Sequence, residues 1–273
     1  MRKDHRPYIV KHLQAAFVEW YTQRYLRPHF RRLGKSPTIV RPWTVTVFGY
    51  NVEMGDFPTV ISEKYLPVSL VSWAQADLED LALIIGKDKS GWHDLDQEAK
   101  AREKQKRRQE GEGAIRIGDY ALICPGVRIQ AARGITIGSG TMMAQGSYIT
   151  DADWHGIYDR CLPVGQAAPV SIGENCWIGD HAIVCKGVTV GDNSIVGAGS
   201  VVVRDIPPNC VAVGNPARVV RELDPDVPVR GRGAIFEDYE GTVDMLRTAD
   251  RDAHAGNSIF GWLRYILAPR DDD

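Results

Sequence analysis

The chain has 273 residues, of which 44% are hydrophobic, and its formal net charge is −2. This length and composition allow a substantial buried core, and the near-zero charge does not indicate a nucleic-acid-binding protein. No apolar run approaches the roughly twenty residues of a membrane-spanning helix, and the segment that starts at Met1 lacks the apolar stretch of a signal peptide, so we expect a cytoplasmic protein.

The N-terminal segment is basic and has helical spacing of its apolar residues. Residues 1–35 carry a net charge of +7, whereas residues 222–273 carry −6. Within residues 1–42 the spacing predicts an amphipathic helix with the apolar residues Ile9, Leu13, Phe17 and Trp20. Two interpretations stay open: the helix packs against the rest of the protein or a neighbouring subunit, or it contacts the inner face of an anionic membrane peripherally.

Further along the chain an aliphatic residue recurs at every sixth position. The most regular run is Ile172, Ile178, Val184, Val190, Val196 and Val202. Shorter runs are Phe48, Met54, Val60, Leu66; Ile117, Ile123, Ile129; and Ile137, Met143, Ile149. A period of six fits neither a helix nor a simple alternating strand. It predicts a parallel β-helix, in which three short strands close a coil of about eighteen residues and each points one aliphatic side chain inward.

Two segments do not follow this period. Residues 76–113 contain a highly charged stretch with little apolar content, which predicts an insertion between coils. Residues 223–273 form an acidic tail with a short apolar helix near Ile259–Leu267. We therefore divide the chain into an N-terminal helical region (1–42), a β-helix domain (43–222) and a C-terminal tail (223–273).

The main interruption of the regular coils lies between Ile149 and Ile172. It contains His155 close to Asp151 and Asp153. A histidine beside carboxylates has the composition of a general base with an orienting group, which can activate a hydroxyl for attack on an acyl carbon. His155 is therefore the candidate catalytic base, with Asp153 or Asp151 as its orienting carboxylate.

The second half of the chain resembles the hexapeptide-repeat acyltransferases. The residues that carry the resemblance are Gly191–Val202, Asp205–Asn209 and Gly214–Arg221, and they are similar to galactoside and maltose O-acetyltransferases. The loop Asp151–Tyr158 is similar to that of bacterial surface-polysaccharide O-acetyltransferases. The fold class implied is mainly β: a left-handed parallel β-helix of hexapeptide repeats with helical flanks and a charged insertion.

The resemblance also implies a homotrimer with acetyl-coenzyme A, as co-substrate and not as a permanently bound cofactor, in a groove between two subunits. The matching positions for coenzyme A are Trp177, Ala198, Gly199, Arg204, Arg218 and Arg221. The arginines would hold phosphate groups. No metal is expected.

The acceptor site departs from the sugar acetyltransferases. Cys124 or a neighbour stands where those enzymes carry an acceptor-binding asparagine. Candidates for acceptor contacts are Cys124, Gln145, Trp154 and Tyr158. The acceptor class implied is a small molecule or glycan precursor with a free hydroxyl.

Three alternatives to an O-acyltransferase remain. An N-acyltransferase that acts on an amine would need the same base and groove. A γ-class carbonic anhydrase needs three histidines around zinc, and only His155 and His181 lie in the repeats. A non-catalytic scaffold would need neither His155 nor the arginine set.

Overall fold

The computed structural model describes residues 4–73, 96–109, 112–161 and 164–268. Over these residues the strands form the predicted left-handed parallel β-helix, in which each coil contributes one strand to each of three parallel sheets. We refer to these as sheets A, B and C in the order in which the chain passes through them.

The strands are short, and their order in each sheet follows the coils. Sheet A contains β1 (Arg32–Leu33), β4 (Val52–Met54), β7 (Ala114–Ile117), β10 (Gly134–Ile137), β13 (Val170–Ile172) and β16 (Thr189–Val190). Sheet B contains β2 (Thr38–Val40), β5 (Thr59–Ile61), β8 (Leu122–Ile123), β11 (Met142–Met143), β14 (Trp177–Ile178), β17 (Ile195–Val196), β19 (Cys210–Gly214) and β20 (Ala217–Glu222). Sheet C contains β3 (Thr46–Phe48), β6 (Ser69–Ser72), β9 (Arg128–Ala131), β12 (Tyr148–Thr150), β15 (Ile183–Val184) and β18 (Val201–Val202).

The six-residue period corresponds to the interior column of the β-helix. Every member of the run from Ile172 to Val202 is buried, and so are the members of the runs that begin at Ile117 and Ile137. Equivalent residues stack on one another in register, for example Ile123 on Met143 and Met143 on Ile178. Burial of one large aliphatic side chain per strand stabilises a fold whose strands are only two to four residues long in these coils.

The prediction for the first coils needs correction. Met54 and Val60 are buried as predicted, but Phe48 and Leu66 are 50% and 38% exposed. The interior positions of sheet C are instead Val47, which is partly buried, and Leu70. The corner between Val60 and Leu70 is longer than in later coils, and the extra residues displace the period.

The β-helix also begins earlier than residue 43. Leu33 and Ile39, six residues apart, are buried and occupy interior positions of β1 and β2. The coils therefore start at Arg32, inside the region predicted to be helical. At the other end β20 turns back and pairs antiparallel with β19.

Helices occupy the flanks and part of the insertion. Helix α1 (Tyr8–Tyr21) continues through a π-helical turn, Thr22–Leu26, and a 3-10 turn, Arg27–His29. The others are α2 (Gln97–Gln109), α3 (Tyr239–Ala253) and α4 (Ile259–Leu267). Helix α2 belongs to the predicted insertion, of which residues 76–95 and 110–111 lie outside the described residues. None of the helices in the described ranges is both long enough and apolar enough to cross a membrane.

The oppositely charged ends of the chain contact each other. Lys11 forms an ion pair with Asp250 of α3. The side-chain amide of Asn257 donates hydrogen bonds to the backbone carbonyls of Asp4 and Arg6 at 2.7 and 3.0 Å. The flanking segments therefore form one unit beside the β-helix.

The apolar stripe of α1 is not used in these contacts. Ile9, Leu13, Phe17 and Trp20 are all about half exposed. A neighbouring subunit or a membrane surface would cover this stripe, and peripheral membrane contact stays a prediction. The acidic helix α3 next to α1 opposes attraction to anionic lipid.

Candidate functional site

The loop that carries His155 is closed at its base by backbone hydrogen bonds. Ala152 and Ala167 form an antiparallel bridge. The amide of Asp153 donates to the carbonyl of Gln166 at 2.8 Å, and the amide of Gly165 donates back to the carbonyl of Asp153 at 2.7 Å. The loop thus leaves β12 and returns to β13 as two arms that are paired at the base, and residues 162–163 lie outside the described residues.

His155 lies just beyond this closed base and is exposed. Across the described ranges no hydrogen bond or ion pair engages its imidazole. A β-carbon added at Gly165 would lie 2.5 Å from the carbonyl oxygen of His155, so the opposite arm packs closely on the His155 backbone. The main chain of His155 is therefore packed against the opposite arm, whereas its side chain is exposed.

Asp151 is placed differently from the prediction. Its side chain is fully buried, and its carboxylate accepts hydrogen bonds from the backbone amides of Ala132, Arg133 and Gly134 at 2.7, 2.8 and 2.6 Å. Burial raises the pKa of this carboxyl group, and the three amide donors act in the opposite direction. Both oxygens are used by the turn between β9 and β10, so Asp151 holds the scaffold and does not orient His155.

Asp153 also has another partner. Its Oδ1 lies 2.7 Å from Nζ of Lys186, which follows β15 at the same corner of the next coil. The structure therefore does not pair Asp153 with the imidazole two residues away. Sequence reasoning missed Lys186, because no motif or spacing connects it with the loop.

The two aromatic residues of the loop differ in their contacts. The indole Nε1 of Trp154 donates to the hydroxyls of Tyr148 and Thr150, each at 3.1 Å. Tyr148 in turn donates to Oε1 of Gln130 at 2.7 Å. Trp154 is thus anchored on the outer face of sheet C, whereas Tyr158 is fully exposed.

Two of the predicted coenzyme A positions, Trp177 and Arg221, lie at the two ends of one row across sheet B. Trp177, Ile195, Val211 and Arg221 are opposite one another in successive strands. Trp177 is 47% exposed, and Arg221 is also exposed. Arg218 lies on the same edge strand opposite Val213. At about 4.8 Å between strands, the backbones of Trp177 and Arg221 are roughly 14 Å apart, and the apolar residues Ile195 and Val211 lie between them.

A second group lies at the corner between sheets B and C. Cys124, Gln145, Ala198 and Gly199 all follow strands of sheet B by one to three residues. Gly199 has φ of +67°, and a β-carbon there would meet nothing within 4 Å. Ala198 is exposed as well. This corner and the row across sheet B therefore form a continuous open surface.

The histidine and this surface are on different edges of a single chain. The His155 loop leaves the corner between sheets C and A, and the outer face of sheet C lies between it and the corner that carries Ala198. Arg204 follows β18 at the same edge as the loop, away from Arg218 and Arg221. In the described part of the chain nothing joins His155 to Trp177 or Ala198.

The described residues contain no candidate metal site. No three His, Cys, Asp or Glu side chains among the described residues are close enough together to hold an ion. His181 lies at the corner between sheets B and C, and sheet C separates it from the loop that carries His155. The carbonic anhydrase alternative therefore gains nothing from the structure.

Comparisons with known proteins agree with the repeats. A family profile described as "Hexapeptide repeat of succinyl-transferase" matches residues 169–204. Galactoside O-acetyltransferase of Escherichia coli K12 is 40% identical over 108 residues, which are 39% of this chain and 51% of that protein. The chain thus aligns with about half the length of this relative. The resemblance to hexapeptide-repeat acyltransferases is confirmed over the repeats.

Two solved structures are also similar to this chain. A hexapeptide-repeat containing acetyltransferase from Vibrio cholerae is 21% identical with a TM-score of 0.44, covering 74% of this chain and 81% of that one. A maltose O-acetyltransferase from Clostridium difficile 630 is 24% identical with a TM-score of 0.35, covering 73% of each chain.

Proposed function

We propose that this chain is a coenzyme A-dependent O-acyltransferase. It transfers acetyl from acetyl-coenzyme A to a hydroxyl of a sugar or glycan precursor. Its hexapeptide repeats resemble those of the acetyltransferases to which it is similar. The observation that carries the proposal is the exposed imidazole of His155, which has no partner in the described ranges although it lies directly beyond the hydrogen-bonded base of the loop.

His155 acts as the general base. It takes the proton of the acceptor hydroxyl while the oxygen attacks the thioester carbonyl carbon, which gives a tetrahedral intermediate. The intermediate then expels the coenzyme A thiolate, and the imidazolium returns the proton to that sulfur. Histidine suits both steps because imidazole accepts and releases a proton near neutral pH. An amine acceptor would be deprotonated in the same way.

Acetyl-coenzyme A occupies the open surface on sheet B. Trp177 contacts the arm near the thioester, and the small residues Ala198 and Gly199 leave room for that arm. Arg218 and Arg221 at the edge strand hold phosphate groups by charge-assisted hydrogen bonds. Arg204 projects from the other edge and serves the ligand held by a different copy.

The active site is shared between copies of a homotrimer. His155 and the surface around Ala198 are separated by sheet C within one chain, and a neighbouring copy brings a second loop against that surface. Such a ring uses the same heterologous contact three times. Cys124 and Gln145 lie on this surface and Trp154 and Tyr158 on the loop, so the acceptor contacts come from two subunits.

Calorimetric titration with acetyl-coenzyme A tests the donor. We expect saturable binding of about one ligand per chain, as for a largely pre-formed cleft. Ala198→Trp fills the surface at an exposed position, so binding weakens by at least about tenfold while the melting temperature stays unchanged. Ala16→Trp, on the exposed side of α1, is the matched control and binds normally. Absence of binding to the folded protein rejects the proposal.

A further inference from the structure

Lys186 and Asp153 form an ion pair that connects the catalytic loop to the next coil. The ammonium and carboxylate are 2.7 Å apart, and the two side chains are 29% and 31% exposed, so both are largely shielded from water. Within the described residues each is the other's sole ion-pair partner. The pair bridges 33 positions of sequence.

The corner that carries Lys186 also holds the other arm of the loop. The amide of Gly187 donates to the carbonyl of Ala168 at 3.0 Å. Residues 186 and 187 therefore bind the outgoing arm through a side chain and the returning arm through the backbone. The residue after Asp153, Trp154, is anchored on sheet C through its indole N–H, whereas Ile157 and Tyr158 beyond it are exposed. The ion pair is therefore the charged contact that ties this arm to the next coil.

We propose that Lys186 is a positioning residue, which fixes His155 through Asp153. Asp153 is two residues from His155, and its own backbone N–H and C=O are already hydrogen-bonded across the loop. With its carboxylate held as well, rotation of this arm about its base is blocked. The role in turnover rests on the proposed function, whereas the tethering of the loop does not.

The rate of trypsin cleavage within the loop measures how firmly the loop is tethered, independently of enzyme activity. Arg160 is exposed within the loop, and cleavage after it is followed by mass spectrometry under native conditions. We expect Lys186→Met to be cut at this bond about fivefold to tenfold faster than the unmodified protein, and Lys186→Arg to be cut at the original rate because it keeps the charge. Lys64→Met, an exposed lysine remote from the loop, is the control.

The steady-state rate of thiol release measures how well Lys186 positions His155. In Lys186→Met, kcat falls about 10- to 100-fold because a small displacement of the base is costly, while KM for acetyl-coenzyme A changes less than twofold. Lys186→Arg restores kcat. The exchanged pair Asp153→Lys with Lys186→Asp restores the slow cleavage even if each single variant is unstable.

The outcomes separate the two proposals. If Lys186→Met is cleaved at the original rate and has the original kcat, the inference is wrong. It is also wrong if Lys186→Met is cleaved faster but keeps its kcat, because the ion pair would then tether the loop without positioning His155. If the unmodified protein binds no acetyl-coenzyme A, the proposed function fails, and the cleavage rates still decide whether Lys186 holds the loop.

Discussion

Replacement of His155 by alanine is expected to lower turnover by about 10²- to 10⁴-fold, the contribution of a positioned general base. The affinity for acetyl-coenzyme A and the melting temperature should not change, because the ring is exposed and has no partner in the described ranges. The measurements are thiol release under saturating acetyl-coenzyme A and calorimetric titration of the same preparation.

The matched control is His29→Ala, which removes another exposed imidazole far from the loop. We expect it to turn over at the normal rate. Normal turnover in His155→Ala would contradict the assignment of the base, whereas a parallel loss of turnover and of acetyl-coenzyme A affinity would show that His155 binds the donor instead.

Replacement of Asp151 by alanine is expected to destabilise the fold. It leaves three backbone amides at the turn between β9 and β10 without their acceptor, the amide of Ala132 in a buried position and those of Arg133 and Gly134 in partly buried ones. At the usual penalty for an unsatisfied buried group, the free energy of unfolding falls by about 2–5 kcal/mol. Asp151→Asn keeps one acceptor oxygen and is expected to lose less. Urea denaturation of the purified variants measures both changes.

Asp244→Ala is the control for this experiment, since Asp244 is 81% exposed on α3. A change within about 0.5 kcal/mol is expected there. If Asp151→Ala unfolded at the same urea concentration as the unmodified protein but lost turnover, Asp151 would be part of the catalytic group after all.

The sequence could predict the fold because the β-helix places one aliphatic side chain per strand into a shared interior. The period is therefore visible wherever corners have constant length, as from Ile172 to Val202. It is hidden where corners vary. The interior positions Val60 and Leu70 are ten positions apart in the sequence, so a strict period of six selected the exposed Leu66 instead.

The candidate base could be found from sequence because it lies where the otherwise regular coils between Ile117 and Val202 are interrupted. The charged groups around His155 could not be predicted from the sequence. Asp151 and Asp153 are both close to His155 in sequence, yet their partners come from the preceding coil and from the next coil. Sequence proximity within a loop does not determine which way a carboxylate points, whereas the stacking of coils does.

Mixed assemblies test most directly the claim that the loop of one copy serves the surface of another. At a donor concentration well below the dissociation constant of the unmodified protein, His155→Ala and Ala198→Trp copies are each expected to keep at most about a tenth of the normal thiol-release rate when assayed alone. When the two are coexpressed, about a quarter of the sites combine an intact loop from one copy with an intact surface from its neighbour, so roughly a quarter of the normal thiol-release rate should return. A mixture that stays as inactive as the separate variants would contradict the shared site.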